Sequence, residues 1–349
     1  MIAPACPLPL PHAERIVLGH GSGGKMSHDL IKRVFLPAFD NTALRAGDDG
    51  GVIPPMGTLR LALSTDSHVV SPLFFPGGDI GRLAVCGTVN DVAMMGAAPL
   101  YLTAGFILEE GLEVATLQRV VEGMRAAAEE ASVQIIAGDT KVVQKGKADG
   151  LYITTSGVGM VMEGANVSGV NAQPGDVVIL SGPVGDHGIA VLAARGDLGF
   201  EVEVSSDVAP LNRLTQAILN AAPPGMVHVL RDPTRGGLAT TLNEIARQSQ
   251  AAIKIEESRV AVRPAVAAAC EMLGFDPLYI ANEGKLIAIV ARESAETVLQ
   301  AMQATRYGEE AAIIGEVQAS PQGRVLVKTP LGATRIVDML AGEMLPRIC

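Results

Sequence analysis

The sequence ends in a cysteine, Cys349, whose thiol could do chemistry at the tip of the chain. Chain termini are usually the least ordered part of a domain. Gly342 and Pro346, just upstream, discourage a helix from continuing to the last residue. A thiol on such a tail can be loaded at one protein's active site and then return to its own. A terminal cysteine without any role is the alternative, and the remaining motifs decide between the two.

The first half contains residues suited to bind phosphates and a metal ion. A glycine-rich segment, 20–25, ends in Lys25, and its backbone N–H groups and ammonium suit a phosphate. A flexible loop without a ligand fits this segment equally well, because the spacing is not that of a P-loop. Acidic residues follow at expected loop positions, at 48–49, 66 and 90–91. Such carboxylates can converge on Mg²⁺ or can each cap a helix or turn.

Two turns in the second half have a strand–loop–helix setting, at 181–188 and 231–237. Each can present backbone N–H groups to an anion, or each can be a tight connection. The second turn contains Asp232, and Glu283 lies in a later turn just before an apolar strand. A glutamate in a turn is usually solvated, so the residue type alone does not make Glu283 functional.

Composition limits the classes of function. The chain has 349 residues, 48% of them hydrophobic, which predicts more than one domain. A net charge of −10 argues against nucleic acid or an anionic membrane as a partner. No apolar run is long enough to span a bilayer, and 1–11 lacks the basic residues of a signal peptide. Four widely spaced cysteines suggest neither a zinc cage nor a disulfide framework. We expect a reduced, cytoplasmic protein with Cys86 and Cys270 in the core.

Strand and helix patterns alternate along the chain, which predicts an α/β or α+β architecture with helices covering sheets. A loss of periodicity at 164–175 predicts a domain boundary. The predicted strands are Leu59–Ser64, a short buried strand at Val133–Ala137, Leu151–Val161, Val177–Leu180, Val227–Leu230 and Leu286–Val290. The predicted helices are Val114–Ala128, His187–Ala194, Leu211–Ala222, Gly236–Gln248 and a segment near Ser294–Ala304.

Several motifs together resemble a known superfamily. They are TDSHVV at 65–70, FFPGGDIG at 74–81, GTVNDVAMMG at 87–96, GFILEEG at 105–111 and GDTK at 138–141. These segments resemble the ATP-utilising superfamily of aminoimidazole ribonucleotide synthase and selenophosphate synthetase. Together with the ending PRIC at 346–349, they resemble the HypE family of carbamoyl dehydratases within it. The resemblance covers roughly residues 16–349.

The resemblance implies an aminoimidazole ribonucleotide synthase-like fold of two domains, each a mixed sheet covered by helices, with a flexible C-terminal tail. The implied parts are a disordered extension (1–14), an ATP- and Mg²⁺-binding dimerisation domain (15–163), a second α/β domain (164–337) and a tail (338–349). Asp49 is preferred to Asp48 as a metal ligand. The implied residues are Asp49, Asp66, Asp91 and Asp232 for Mg²⁺; Lys25, Asn90, Asp139 and Thr140, with Asp66 and Asp91, for ATP; and Cys349, Glu283 and Lys141 for catalysis.

The reaction that the resemblance implies is the dehydration of a carboxamide carried on Cys349. A carbamoyltransferase, HypF, loads the thiol, and ATP converts the amide oxygen into a phosphate leaving group. Glu283 takes a proton from the nitrogen while Lys141 orients the group or tunes its pKa, which leaves a thiocyanate. The cyanide then passes to iron on a HypC–HypD scaffold for a nickel–iron hydrogenase, and the protein is a homodimer.

Two other functions are possible for this chain. A selenophosphate synthetase would carry a reactive cysteine or selenocysteine in the glycine-rich segment, and 20–25 has none. A non-catalytic carrier of a modified tail cysteine is the second alternative. Substitution of Glu283 by alanine separates the carrier from the enzyme, because only the enzyme should stall at the carboxamide.

Overall fold

The computed structural model describes residues 16–39, 41–53, 59–196, 198, 200–340, 345 and 347–349. The expected N-terminal extension, 1–14, lies outside the described residues, as do Gly342 and Pro346. Two main sheets are present, one in each half of the chain, and a two-stranded ribbon lies after the first half's second strand. Strands β1–β14 and helices α1–α10 are numbered in chain order.

The first sheet has five strands in the order β1-β2-β7-β5-β6, and only the β5–β6 pair is parallel. Side chains alternate strictly along β7, where one set is buried and the other is exposed, as the twofold period of a strand requires. The first-half strands are β1 Gly51–Val52, β2 Leu61–His68, β3 Phe74–Phe75, β4 Gly78–Asp79, β5 Ala97–Glu109, β6 Gln134–Val143 and β7 Leu151–Val161.

One face of this sheet is covered by two helices, and the opposite face is open. The central helix is almost completely buried and begins at Asp79, whose carboxylate accepts hydrogen bonds from the Gly81 and Arg82 N–H groups. The first-half helices are α1 Lys25–Leu30, continued by a π-helical turn at Ile31–Phe35, then α2 Leu36–Phe39, α3 Thr42–Ala46, α4 Ile80–Met94 and α5 Val114–Ala131.

The second sheet has seven strands in the order β14-β13-β10-β12-β8-β11-β9, with one parallel pair, β10–β13. Its central strands β8 and β11 are buried on both sides, since helices cover both faces. The strands are β8 Val177–Leu180, β9 Val227–Arg231, β10 Ala252–Glu256, β11 Ile287–Val290, β12 Ala312–Gln318, β13 Val325–Lys328 and β14 Thr334–Val337.

Helix α8 packs on one face of the second sheet through Leu238, Leu242 and Ile245, while α7 and α10 pack on the other. The second-half helices are α6 Asp186–Ala194, α7 Asn212–Ala221, α8 Gly237–Ser249, α9 Pro264–Leu273 and α10 Ala295–Gln303. Short 3₁₀ turns occur at Leu18–Gly21, Gly169–Asn171, Glu257–Arg259, Pro277–Tyr279 and Arg292–Ser294.

The predicted elements are all present, but the prediction of a buried strand at Val133–Ala137 is wrong about burial. Strand β6 lies at the edge of its sheet, and nearly every residue in it is exposed, including Ile136 at 60%. Apolar periodicity indicates which residues prefer burial, but it does not say what covers them. Cys86 and Cys270 are buried as predicted.

Candidate active site

The last residues of the chain lie inward, alongside the segment that follows β2. The Val69 N–H donates to an oxygen of the Cys349 main-chain carboxylate at 3.1 Å, and the Ser71 N–H donates to the Arg347 carbonyl at 3.2 Å. The Arg347 guanidinium pairs with Asp149 and donates to the Val69 carbonyl at 3.3 Å. These contacts continue the backbone pairing beyond β2 and hold the tail cysteine at the junction of the two halves.

The thiol of Cys349 lies in a buried and charged environment. Cys349 is 9% exposed and Glu283 is 4% exposed. Burial raises the pKa of the Cys349 thiol far above its usual value, and Glu283 and Asp66 raise it further, while Arg235 lowers it. These three charges therefore surround the sulfur. In this pose the thiol stays protonated at neutral pH, which suits a carried group more than an attacking nucleophile.

A hydrogen bond from its backbone N–H fixes Glu283, while one oxygen of its side chain has no hydrogen-bond partner among the described residues. Its N–H donates to Asp207 Oδ1 at 3.0 Å, and Lys285 Nζ lies 3.1 Å from Asp207 Oδ2. Burial, followed by the charges of Asp66, Asp232 and Asp207, raises the pKa of Glu283 well above its usual range. Its Oε1 is buried and hydrogen-bonds nothing among the described residues. A buried carboxyl of raised pKa with a free oxygen is suited to proton transfer.

Four aspartates from both halves form a carboxylate cluster: Asp49, Asp66, Asp91 and Asp232. Burial and the charges of the other three raise the pKa of Asp91. Burial raises the pKa of Asp232 to about 6, Asp66 adds to that shift, and Arg231 opposes it. The Ser64 hydroxyl donates to Asp91 Oδ2 at 2.7 Å, which partly offsets the effect of burial there. Asp232, Asp66 and Asp49 each act on the pKa of Asp91, which indicates that the four carboxylates lie near one another.

Arg231 balances part of this negative charge. Its Nε lies 2.7 Å from Asp49 Oδ2, and its NH2 lies 2.5 Å from Glu244 Oε2. Asp48 has a different role, since its carboxylate accepts hydrogen bonds from the Ser168 hydroxyl at 2.7 Å and the Gly169 N–H at 3.0 Å. Asp48 thus fastens the loop between the two halves, and Asp49 belongs to the cluster.

The carboxylate cluster fits a cation that is shared with a ligand. Among the described residues, no three or more His, Cys, Asp or Glu side chains are arranged as a ready set of metal ligands. Asp232 Oδ2 is nevertheless buried without a hydrogen-bond partner. Mg²⁺ characteristically takes one or two carboxylates and fills its other positions with water and substrate phosphates. A partial set of mutually repelling carboxylates, buried at Asp232 and partly exposed at Asp66, is therefore consistent with Mg²⁺.

Two of these aspartates do not lie in loops, as we had expected from the sequence. Asp66 lies within β2, and Asp91 lies within α4. Asn90 is buried in the same helix, where its amide donates to the Ala209 carbonyl at 3.0 Å and accepts from the Leu211 N–H at 2.7 Å. Asn90 therefore joins the two halves with its side chain in this structure.

The glycine-rich segment covers the tail cysteine's surroundings, and Lys25 is the exposed first residue of α1. A Cβ on Gly24 would lie 2.4 Å from the Leu340 carbonyl oxygen, and one on Gly23 would lie 2.9 Å from Arg235 Cβ. Gly23 also has a positive φ of 74°. The glycines are required here because the backbone passes so close to the tail and to the Arg235 loop.

Asp139, Thr140 and Lys141 lie apart from the other predicted site residues within one copy of the chain. Lys141 Nζ pairs with Asp139 Oδ2 at 2.7 Å, and both side chains are 71% exposed. Across the sheet, Asp139 aligns with Ser67, and the alternation of strand side chains turns both away from the face of Asp66. Strands β7 and β5 also separate β2 from β6, a lateral distance of about 14 Å. A single chain does not bring Lys141 to the tail.

Arg235 was not among the residues singled out from the sequence. Its NH2 lies 3.6 Å from Asp66 Oδ1, and its NH1 donates to the Gly21 carbonyl at 3.4 Å. The pKa of Arg235 is raised, and the charge of Cys349 is the largest cause of that shift. The sequence feature that could have pointed to Arg235 is its position three residues after Asp232, as a positively charged residue in a strand–loop–helix turn. A cavity of about 210 Å³ opens at this point, lined by Gly21, Ser22, Ser67, Val69, Arg235, Gly236, Tyr279, Ala281, Leu340, Leu345, Arg347, Ile348 and Cys349.

Two family models match the chain. The N-terminal domain of AIR synthase related proteins matches residues 47–161, and the C-terminal domain of the same proteins matches residues 173–328. Carbamoyl dehydratase HypE of Cupriavidus necator is 54% identical over 335 residues, which cover 96% of this chain and 95% of that protein. The chain belongs to the HypE family.

Solved structures of the HypE family have the same fold. A HypE–HypF complex contains a chain that is 51% identical, with a TM-score of 0.84, covering 89% of this chain and 99% of the other. HypE in complex with ATP is 50% identical, with a TM-score of 0.79, covering 96% of this chain and 100% of the other. The predicted fold class, two mixed sheets covered by helices, is confirmed. The domain boundaries and the roles of individual residues stay predictions.

Proposed function

We propose that this chain is an ATP-dependent carbamoyl dehydratase that converts a carboxamide carried on Cys349 into a thiocyanate. The observation that carries the proposal is the inward tail, with the Cys349 sulfur buried beside the Glu283 carboxyl. Relatives named carbamoyl dehydratase HypE support it, as does the ATP complex of one of them.

Glu283 is the proposed base. During dehydration the carboxamide oxygen leaves as phosphate after phosphoryl transfer from ATP, and the nitrogen must lose its protons. Glu283 is close enough to the sulfur to influence the thiol, and its raised pKa makes its ionised form a stronger base than an exposed glutamate. Arg235 offers a fixed positive charge beside the same sulfur. It is suited to stabilise the negative charge on the departing oxygen.

The carboxylate cluster is the proposed Mg²⁺ site, and bound Mg²⁺ would offset the negative charge of the ATP phosphates. Asp49, Asp66, Asp91 and Asp232 are the proposed ligands. Asp232 has a buried oxygen that finds no hydrogen-bond partner in the described part of the chain, and burial raises the pKa of three of the four carboxylates. The proposed nucleotide-binding residues are Lys25, Asn90, Asp139 and Thr140, with Asp66 and Asp91 shared.

A homodimer is proposed because the uncovered face of the first sheet carries large apolar side chains. Leu63, Tyr101, Ile107 and Met160 are each 42–44% exposed there, in addition to the exposed edge strand β6. Lys141 lies at the same open face, so it would reach a tail only in a second copy.

Mixing two inactive variants tests that arrangement. Lys141→Ala and Glu283→Gln homodimers should each be inactive. If Lys141 acts across the interface, a mixed dimer retains one intact site, so mixing should restore up to about half of the wild-type activity per mixed dimer. If the two residues act within one copy, mixing restores nothing.

The proposed partners are a HypF carbamoyltransferase, which loads Cys349, and a HypC–HypD complex, which receives the cyanide. The HypF proposal is supported by the HypE–HypF complex of a relative. A cytoplasmic location is proposed because no disulfide joins the described cysteines, Cys86, Cys270 and Cys349. None of the helices in the described residues is both apolar enough and long enough to span a bilayer.

Mass spectrometry of the carbamoylated protein tests the proposed reaction. Mg-ATP should remove one water from the tail peptide of the wild type. Glu283→Gln, which keeps the size of the side chain, should slow this loss by about 10²-fold or more if it removes the general base. A carboxamide that survives Mg-ATP in the wild type would leave a carrier as the better description. Loss of water at the wild-type rate in Glu283→Gln would exclude Glu283 as the base.

A further inference from the structure

A buried histidine holds the backbone of the tail one residue before the reactive cysteine. His187 lies at the start of α6 and is fully buried. Its Nε2 lies 2.9 Å from the Ile348 carbonyl oxygen, and its Nδ1 lies 2.8 Å from Ser206 Oγ. The ring packs edge-on against Phe75, with centroids 5.5 Å apart and an interplanar angle of 84°. Both ring nitrogens thus have defined hydrogen-bond partners, and the ring has an aromatic contact as well.

For a neutral imidazole, the hydrogen bonds allow one arrangement of protons on His187. A carbonyl oxygen only accepts, so Nε2 carries the hydrogen that it donates to Ile348. Ser206 Oγ accepts from the Val208 N–H at 3.1 Å, and its own hydrogen goes to Nδ1. Burial lowers the pKa of His187, although the nearby Asp207 opposes this shift, so the imidazole is neutral at physiological pH.

We propose that His187 is a positioning residue that holds the tail in its inward pose through the Ile348 carbonyl, with its tautomer fixed by Ser206. The contact recognises the path of the tail backbone. It therefore leaves the Cys349 side chain free to face Glu283 whether the sulfur is bare, carbamoylated or cyanated. The proposal rests on the proposed function only in taking the inward pose as the reacting one.

The other tail contacts make His187 the informative position. Val69 and Ser71 bind the tail through main-chain N–H groups, which substitution does not remove. The Arg195 guanidinium donates to the Arg347 carbonyl at 2.7 Å and also to the Ser71 carbonyl at 2.8 Å. It therefore fixes the segment against which the tail lies as well as the tail itself. His187 supplies a buried side-chain donor aimed at the residue next to Cys349.

The same short segment also supports the proposed base. Ser206 orients His187, and the adjacent Asp207 accepts the Glu283 N–H at 3.0 Å. Ser206 is itself fixed by its N–H, which donates to the Pro76 carbonyl at 2.8 Å. This one segment of backbone therefore sets the position of the tail and of Glu283 relative to each other.

The rate of alkylation of Cys349 measures how often the tail is outward, because the inward thiol is buried and protonated. Iodoacetamide labelling of the full-length protein without ATP, followed by cleavage after Lys328, reports on Cys349 in the peptide 329–349. His187→Leu should label about fivefold faster than the wild type, as expected for the loss of one neutral hydrogen bond.

Rescue distinguishes positioning from a general packing role. His187→Gln supplies an amide N–H that can reach the same carbonyl, so its labelling rate should return to within about twofold of the wild type. A matched control is His228→Leu, since His228 bonds Asp176 in the second half and should leave the rate unchanged. If His187→Leu does not fold, Ser206→Ala tests the tautomer instead and should also accelerate labelling.

Three results would overturn the proposal. The first is a folded His187→Leu that labels at the wild-type rate. The second is a His187→Gln that labels as fast as His187→Leu. If His187→Leu does not fold, the third result is a Ser206→Ala variant that labels at the wild-type rate. Labelling needs neither ATP nor carbamoylation, so it is independent of the dehydratase. Normal water loss in the wild type with unchanged labelling in the variants would leave the proposed function standing and remove only the role of His187.

Discussion

The clearest consequence of the carboxylate cluster is that Asp232 should destabilise the metal-free protein above acidic pH. Its pKa is about 6 in the folded chain, against an ordinary value of 3.8, so the folded state binds the proton more tightly than the unfolded state. The contribution of Asp232 to folding stability therefore falls as the pH rises from 3.8 to 6 and is constant above that range. A difference of about two pKa units corresponds to about 3 kcal/mol.

Asp232→Asn removes the charge and keeps the shape, so it should stabilise the protein in the absence of divalent cations. With the two pKa values above, the wild type loses about 2 kcal/mol to this group at pH 5 and about 3 kcal/mol at pH 8. The free energy of unfolding of Asp232→Asn should thus exceed that of the wild type by about 1 kcal/mol more at pH 8 than at pH 5. Urea denaturation in EDTA measures this.

Mg²⁺ should reverse the order of stability of the two proteins, so that the wild type becomes more stable than Asp232→Asn. A cation held by Asp232 stabilises the wild type according to its affinity and concentration, whereas the variant has lost a ligand. A pH-independent difference between the two proteins would refute the argument about Asp232. Equal stabilisation of both proteins by Mg²⁺ would refute its role as a metal ligand. The measurement needs no catalysis, so it does not depend on the dehydratase.

Two other substitutions test the packing of the site and the open sheet face. Gly24→Ala should destabilise the protein by about 1–3 kcal/mol, because its Cβ meets the Leu340 carbonyl, while Gly21→Ala, with open space around it, should change thermal stability little. Leu63→Lys should shift the dimer to monomer in light scattering, whereas Leu331→Lys, at a position already 97% exposed, should not. A stable Gly24→Ala, or a dimeric Leu63→Lys, would contradict the respective argument.

Local patterns in the sequence predicted the alternation of strands and helices and several elements of both sheets, but not β5, β10, β12–β14 or α9. Strands β7 and β8 have the predicted bounds, because regular alternation and a short apolar run between turns are strong local signals. Helix α4 was not predicted, since its glycines and polar residues hide a helix that is buried on nearly all sides. Its apolar residues face the sheet, α5 and the second half together, so no single stripe marks a helix.

The site was less predictable because its residues depend on contacts between distant parts of the chain. Asp49, Asp232 and Glu283 come together only when the two halves pack. Nothing near Arg235 in the sequence indicated that it would lie beside Cys349, 114 positions away. His187 belongs to the turn at 181–188, but a buried histidine that bonds a backbone carbonyl has no signature of its own in the sequence. Resemblance to the HypE family supplied the roles that local chemistry left open.

Glu283 faces two opposing requirements, and its neighbours determine the balance between them. A raised pKa strengthens it as a base but reduces the fraction that is ionised at neutral pH. Asp207 contributes to the raised pKa, and it is itself kept ionised by Lys285. Arg235 acts in the other direction and lies beside the same sulfur. Since Asp207 also fixes the Glu283 backbone, the residue that strengthens the base is the one that positions it. A loss of activity in an Asp207 variant would therefore combine both effects, and only Glu283→Gln isolates the proton transfer.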